Sequence, residues 1–363
     1  MDDDNNADLV SNTSEQSLPP TPPNPEPPTT ISPSHPQPQP PKQPLIGLGL
    51  VLLSLLALSF ENVVVHIIFN PSSVIGVSVP VGGFIVPTLS NSLLILWLRM
   101  LVVVPLIAIL GTYFYPAVWR DIGQNLQSKN WRLFANLFCS GFVLFLSKVL
   151  IFLALGLIAP GVAVTIFFLY PIILLLLSDR FTGSKNFLIF SSIMVGFVLS
   201  TLPSSSNEDI SRLGIMAAAG SGIAFALHLM LMQTSAKKLH PIPILWINLA
   251  IVLVLSALSL VLPWSGLWNL NIEPTHLPSL MISGLVLGGA TLLSYLFNYI
   301  GIAKIGAAKA SVVGATLPGL TSVLALILIQ STLQIPQILG IVFVTLGVAA
   351  LSFQPPHHSP KRN

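Results

Sequence analysis

The sequence predicts an all-α membrane protein, a ten-transmembrane-helix bundle built from two inverted five-helix repeats. Three observations predict it: a composition almost free of charge, a succession of apolar runs long enough to cross a bilayer, and a repeat at fixed spacing. Charged residues make up 7% of the 363, the hydrophobic fraction is 53%, and the mean hydropathy is +0.84. A water-soluble domain of this length carries about 25% charged residues to solvate its surface. Most of this surface must therefore meet lipid.

The apolar runs cover approximately 45–69, 91–115, 133–157, 160–179, 186–203, 212–235, 242–263, 277–301, 307–330 and 335–353. Each suffices, at 1.5 Å per residue, for a hydrocarbon core about 30 Å thick. The third and fourth are nearly continuous and divide at the breaker cluster Gly156 to Gly161. Residues 1–44 differ from everything after: they carry Asp2, Asp3, Asp4 and the run Pro19-Pro20-Thr21-Pro22-Pro23, and no aromatic residue. Such a segment buries too little apolar area to offset its ordering entropy and reads as a disordered Pro-rich tail. It lacks the basic start and short apolar run of a signal peptide. The expected organisation is the tail over 1–44, one five-helix repeat over 45–205, a second over 210–353, and a short C-terminal tail over 354–363.

Loop charge gives orientation. With the N-terminal tail inside, the inner loops hold Arg120, Lys129 and Arg132, then Arg180 and Lys185, Lys237 and Lys238, Lys304 and Lys309, and finally Lys361 and Arg362. The outer loops contribute only Arg212. This asymmetry predicts a multi-pass protein of the plasma (inner) membrane with both termini cytoplasmic. The net charge of +3 and pI near 9.1 are accounted for by these loops. No basic cluster interleaved with aromatics occurs, so no nucleic-acid partner is expected. The single cysteine, Cys139, lies in an apolar run and reads as a packing residue.

At a spacing of 147 residues Gly141 pairs with Gly288, Ser147 with Ser294, Ala163 with Ala310 and Pro171 with Pro318, without a gap. Five spans per half is an odd number, so the second half enters the membrane upside down. The turn at Gly156 to Gly161 is then outside and uncharged, while its partner carries Lys304 and Lys309 inside.

On these residues the chain resembles the drug/metabolite transporter superfamily, and its EamA-like family in particular. The resemblance covers about 45–353. It is carried by the two halves, Leu98-Arg99-Met100, Ala159-Pro160-Gly161-Val162-Ala163, Tyr170-Pro171, Ile305-Gly306-Ala307-Ala308-Lys309-Ala310 and Leu317-Pro318-Gly319. Where the family often has a glutamate after the fourth and ninth spans, this chain has Asp179-Arg180 and Gln330-Ser331. The resemblance implies a solute cavity between the halves and export of metabolites or amino acids.

There is no Walker A sequence, no H-E-x-x-H and no pair of mid-span aspartates. Direct ATP use, enzymatic chemistry and a cofactor are not expected. Transport driven by a gradient is, through two halves that expose a central site alternately to each side.

Ionisable residues inside spans are the sharpest signals, each costing about 2.5–3.5 kcal/mol at mid-membrane. Counting along the helices puts Glu61 about 24 Å and Lys148 about 22 Å above the inner edge, and Arg99 about 12 Å below the outer one. All three fall at similar depth. Glu61 is expected to neutralise Lys148 or Arg99, leaving one cation spare for a carboxylate or phosphate. Against this stand a purely structural ion pair and, for Arg99, snorkelling to the interface. Tyr295, the repeat partner of Lys148, and Asn298 one turn on complete the expected solute site. Trp246 and Asn248 are weaker candidates. His66 and His228 read either as proton relays or as hydrogen bonds to a neighbouring helix. Pro171 and Pro318 are candidate paired hinges. The small residues Ala217 to Gly222 and Gly314, Ala315 and Gly319 serve close packing or moving gates. The apolar stretch Val74 to Leu89 is a candidate partial lid.

The expected partners are a small-molecule solute and the lipid bilayer, with a homodimer left open. Amino acids lead; sugar phosphates, nucleotide sugars and a non-transporting scaffold acting through its tail are the alternatives.

Overall fold

Residues 44–75, 80–127, 131–177, 184–202, 211–236, 239–262 and 273–352 are described by a computed structural model. The Pro-rich tail up to Gln43, the residues after Ser352, and the loop cations Lys129, Arg180, Lys237, Lys238, Lys361 and Arg362 lie outside them. Pro44, assigned to the tail from sequence, begins the first helix.

The helices in chain order are α1 (Pro44–Phe69), α2 (Leu89–Phe114), α3 (Val118–Gln127), α4 (Trp131–Leu157), α5 (Pro160–Phe167), α6 (Tyr170–Leu177) and α7 (Ser184–Ser200). They continue with α8 (Arg212–Ser235), α9 (Pro241–Val261), α10 (Leu277–Ile305), α11 (Ala307–Gly314), α12 (Leu317–Ile329) and α13 (Ile335–Ser352). Among the described residues the one departure from helix and loop is an isolated bridge between Ser72 and Val81. All-helical structure follows from the solvent: in lipid every backbone N–H and C=O must be satisfied within the chain. Ends are closed locally. Thr88 accepts from Asn91 N–H and Ser211 from Gly214 N–H, and Pro241 opens α9 at a position that needs no donor. Gly306, at φ +84°, turns the chain out of α10.

Among the described residues eight helical segments, against the ten spans expected, are long and apolar enough to cross a membrane, and Pro160–Leu174 and Phe187–Ser200 are shorter apolar ones. The fourth and ninth apolar runs are each interrupted. α5 ends at Phe167 and α6 starts at Tyr170; α11 ends at Gly314 and α12 starts at Leu317. These boundaries differ by the same 147 residues as the sequence repeat. In both breaks the backbone tightens, with Leu169 N–H donating to Ile166 O at 3.1 Å and Thr316 N–H to Val313 O at 3.0 Å. Pro171 and Pro318 follow, each the second residue of its helix, where the missing N–H is tolerated.

The segment 118–127 was expected as loop and is helix α3. Val118 and Ile122 bury one face against Ile242 and Trp246 of α9, while Arg120 is exposed. Tyr115, just before it, donates to Asp121 Oδ2 at 2.6 Å, and that bond raises the phenol above its ordinary range.

Helix pairing is organised by small residues. α4 packs on α8, α1 on α10, α7 on α13, α2 on α9 and α5 on α12. The contacts recur in matched sets. Ser54 meets Ser294 at 3.3 Å, and Ser221 meets Ser147 at 3.1 Å. Gly47 lies against Ile305, and Gly214 against Ile158. Gly288 lies against Val102, and Gly141 against Ile251. Gly196 lies against Val344, and Gly347 against Ile193. In each set the second contact joins the residues that correspond to the first. The match is incomplete: α4 also packs against α1 and α2, and α5 against α12, whereas α10 has slight contact at most with α8 and α9, and α11 with α6.

A side chain at Gly141 would stand 2.7 Å from Ile251 Cγ2. Gly141→Leu is therefore expected to destabilise the bundle by about 1–3 kcal/mol, read as a lower melting temperature in detergent. Gly49, with nothing within 4 Å, is the control: Gly49→Ala leaves the melting temperature unchanged or raises it.

Candidate functional site

The polar centre is built on α1, α2 and α4. Glu61 and Arg99 point from α1 and α2 into the bundle, each 1% exposed. Arg99 Nη1 lies 2.6 Å from Glu61 Oε1. Arg99 is thus enclosed and does not snorkel to the interface. The contact is an ion pair by distance, but the N–H does not lie along it, and Arg99 Nε and Nη1 have no in-line acceptor. The guanidinium carbon sits 5.4 Å from the centre of the Phe152 ring, a cation–π arrangement. Thr291 Oγ1, on α10, is 2.7 Å from both Glu61 Oε2 and the Leu287 carbonyl, so its one proton serves one of two acceptors.

Lys148, on α4, is half-buried and within electrostatic range of both Arg99 and Glu61. Among the described residues it has neither an ion-pair nor a hydrogen-bond partner. Tyr295, half-buried on α10, also lies within range of Glu61 and Arg99 and lines a cavity of about 70 Å³ between α2, α9 and α10. Four of the five expected solute residues therefore come together. The fifth, Asn298, is half-buried like Tyr295 and lies one turn further along α10, with no hydrogen bond among the described residues.

His66 Nδ1 approaches the Leu155 carbonyl at 2.6 Å, so that nitrogen carries the proton. His228 Nδ1 lies 3.0 Å from both the hydroxyl and the carbonyl of Ser140. Both histidines tie their helix to α4. On α9, Asn248 Nδ2 donates to Ile244 O at 2.9 Å, while Asn248 Oδ1 and Trp246 Nε1 are buried without partners.

Beyond His66 the ends of α1, α4 and α12 surround a polar vestibule of about 570 Å³, lined among others by Asn70, Ser331 and Gln337 and by no charged side chain. Its inner wall at His66 is five residues, or about 7.5 Å along the helix, from Glu61. Gln330 closes α12 in the left-handed conformation, φ 53°, its N–H donating to Ala325 O. The candidate lid contributes none of the described lining: Gly83 and Phe84 donate to the carbonyls of Ile67 and Ile68, while residues 76–79 lie outside the described set. The groove of about 290 Å³ between α3, α4 and α9 is apolar and sits on the lipid-facing surface, so nothing there orients a polar solute. Among the described residues no three of His, Cys, Asp or Glu gather to hold a metal.

Sequence reading missed Thr291, Phe152 and the vestibule. Thr291 had a legible signal, four residues before Tyr295 and so on the same helical face. Phe152 had none, being one phenylalanine among many.

The sequence profile of the EamA-like transporter family matches residues 212–353. An uncharacterized transporter of Synechocystis sp. is 35% identical over 325 residues, spanning 88% of this chain and 97% of its own. A solved crystal structure, titled only as that of a protein, covers 85% of this chain and 95% of its own at 17% identity with a TM-score of 0.47, too distant to bear on the fold.

Removing one member of a buried pair strands the other. Glu61→Gln or Arg99→Gln alone is expected to cost about 3–5 kcal/mol, and Glu61→Gln with Arg99→Met markedly less. Thermal unfolding in nanodiscs reads the difference.

Proposed function

This chain belongs to the EamA-like transporter family, and on that premise we propose that it is a gradient-driven exporter of small metabolites, with amino acids the leading class, working by alternating access. The observation that carries the reading is Lys148, a cation without a partner among the described residues, beside a pair that is already neutral. Glu61 offsets Arg99, so one positive charge is left over at mid-bundle. An unpaired cation there is costly, and the carboxylate of a solute relieves that cost. A dianionic phosphate would call for two free cations, and Arg99 is engaged. The monocarboxylate is therefore preferred to a sugar phosphate or nucleotide sugar.

In this reading residues 45–205 and 210–353 are two inverted repeats of five spans each. The matched contact sets on α1/α10 and α8/α4 support it, as do the matched breaks before Pro171 and Pro318. Those breaks serve as paired hinges, since each interrupts the ladder that would otherwise stiffen a span. The polar vestibule beyond His66 is the mouth of the pathway, and Tyr295 and Asn298 line the route to the other side. The excess of loop Lys and Arg supports cytoplasmic termini in the plasma membrane.

Flux in reconstituted vesicles, measured for a panel of amino acids and phosphorylated sugars with and without a pH gradient, tests the function. Counterflow of a monocarboxylate is expected; no flux of any panel member would sink the reading. Lys148→Met should cut that flux by about 10–100-fold, the value of one charge-assisted hydrogen bond, with the melting temperature kept, and Lys148→Arg should retain part of it. Pro171→Ala or Pro318→Ala should slow turnover with little change in solute affinity.

A further inference from the structure

The matched contacts carry an assignment that neither half reveals alone. Ser54 corresponds to Ser221 and Gly47 to Gly214, both 167 residues apart. The same step takes Glu61 to His228. Val102 corresponds to Ile251, 149 residues on, through their glycine partners Gly288 and Gly141. That step takes Arg99 to Asn248. Lys148 corresponds to Tyr295 at the 147-residue spacing. The polar residues at the middle of the bundle thus form three pairs of equivalents.

The two halves hold these equivalents differently. Glu61 and Arg99 are joined at 2.6 Å. His228 is turned to Ser140, and Asn248 Oδ1 is buried with nothing to accept from. The helix packing differs in the same sense: α4 is seated against α1 and α2, but α10 is not so seated against α8 and α9. A buried acceptor left empty costs about 1–3 kcal/mol, which is hard to sustain unless another state fills it.

Resting on the two-half carrier reading above, we propose that His228 and Asn248 are positioning residues of the transport cycle, which join each other in the alternate state as Glu61 and Arg99 part. Exchanging the conformations of the halves gives α8 and α9 the geometry that α1 and α2 have here. A ring N–H of His228 then donates to Asn248 Oδ1. Lys148 is within electrostatic range of Glu61, Arg99 and His228, so it adjoins both arrangements. The two latches differ in strength, an ion pair against a neutral hydrogen bond. The state described here is therefore favoured until a solute on Lys148 alters the balance.

The test gives His228 a metal-binding neighbour. Asn248→His is placed in a Cys139→Ser background with Ser331→Cys as a vestibule reporter, and the full-length chain is studied in nanodiscs. Two imidazoles bind zinc only where they approach, so Zn²⁺ should trap the alternate state and close the vestibule. Maleimide labelling of the reporter is expected to slow by at least about fivefold, to recover with chelator, and to be indifferent to zinc with Asn248 intact or with His228→Ala added. Zinc leaving the rate unchanged, or slowing it equally without His228, overturns the assignment. A second form, His228→Cys with Asn248→Cys, should be cross-linked by a short bifunctional thiol reagent, and absence of that cross-link also overturns it. Flux measured alongside separates the two readings. Zinc-dependent closure in the variant, together with no solute moved by the unmodified chain in the absence of zinc, ends the transport reading and keeps this pairing. A zinc-inert chain that does move solute ends the pairing and keeps transport.

Discussion

A carboxylate and a guanidinium 2.6 Å apart, both 1% exposed, set the terms for the middle of this bundle. Neither charge is tolerable there alone. Once they offset each other, α1 and α2 are tied together, Phe152 and Thr291 are drawn in as supports, and α4 is held against both helices. Lys148 acquires its character from this. It is a spare cation because Glu61 is already occupied, and it is half-buried because α4 carries it to the edge of that cluster.

The bundle around the pair is held by close approach together with the serine and histidine hydrogen bonds between helices. Lipid gives apolar side chains no reason to prefer one another to acyl chains, so packing quality decides which helices meet. Gly47, Gly141, Gly196, Gly214, Gly288 and Gly347 each admit a neighbouring helix to a distance that a side chain would forbid. These contacts come in matched sets, yet the centre does not match. One half has a charged pair and a seated α4, and the other has neutral polar residues and a looser α10.

Much of the helix layout was legible because the bilayer imposes a length. Runs of about twenty apolar residues read as helices, and the ends of α8 at Arg212 and Ser235 coincide with the run read from sequence. α3 was not legible. Its ten residues are too few and too polar to read as a span, and its helical state depends on burying Val118 and Ile122 against α9. The interruptions before Pro171 and Pro318 were marked by the prolines, but proline alone does not say whether a helix kinks or stops.

At the site, residue identity was legible and pairing was not. Charge is rare enough in this sequence that Glu61, Arg99 and Lys148 stood out at once, and rise per residue put them at one depth. Depth is a single coordinate, however, and leaves rotation about each helix free. Which cation takes Glu61 and whether Arg99 is enclosed both depend on those rotations. The sequence by itself determined the helical class and the charged residues, since each follows from local composition and spacing. Only the tertiary structure decided that Arg99 takes Glu61 and Lys148 is left over, because that choice depends on how α1, α2 and α4 turn their faces toward one another.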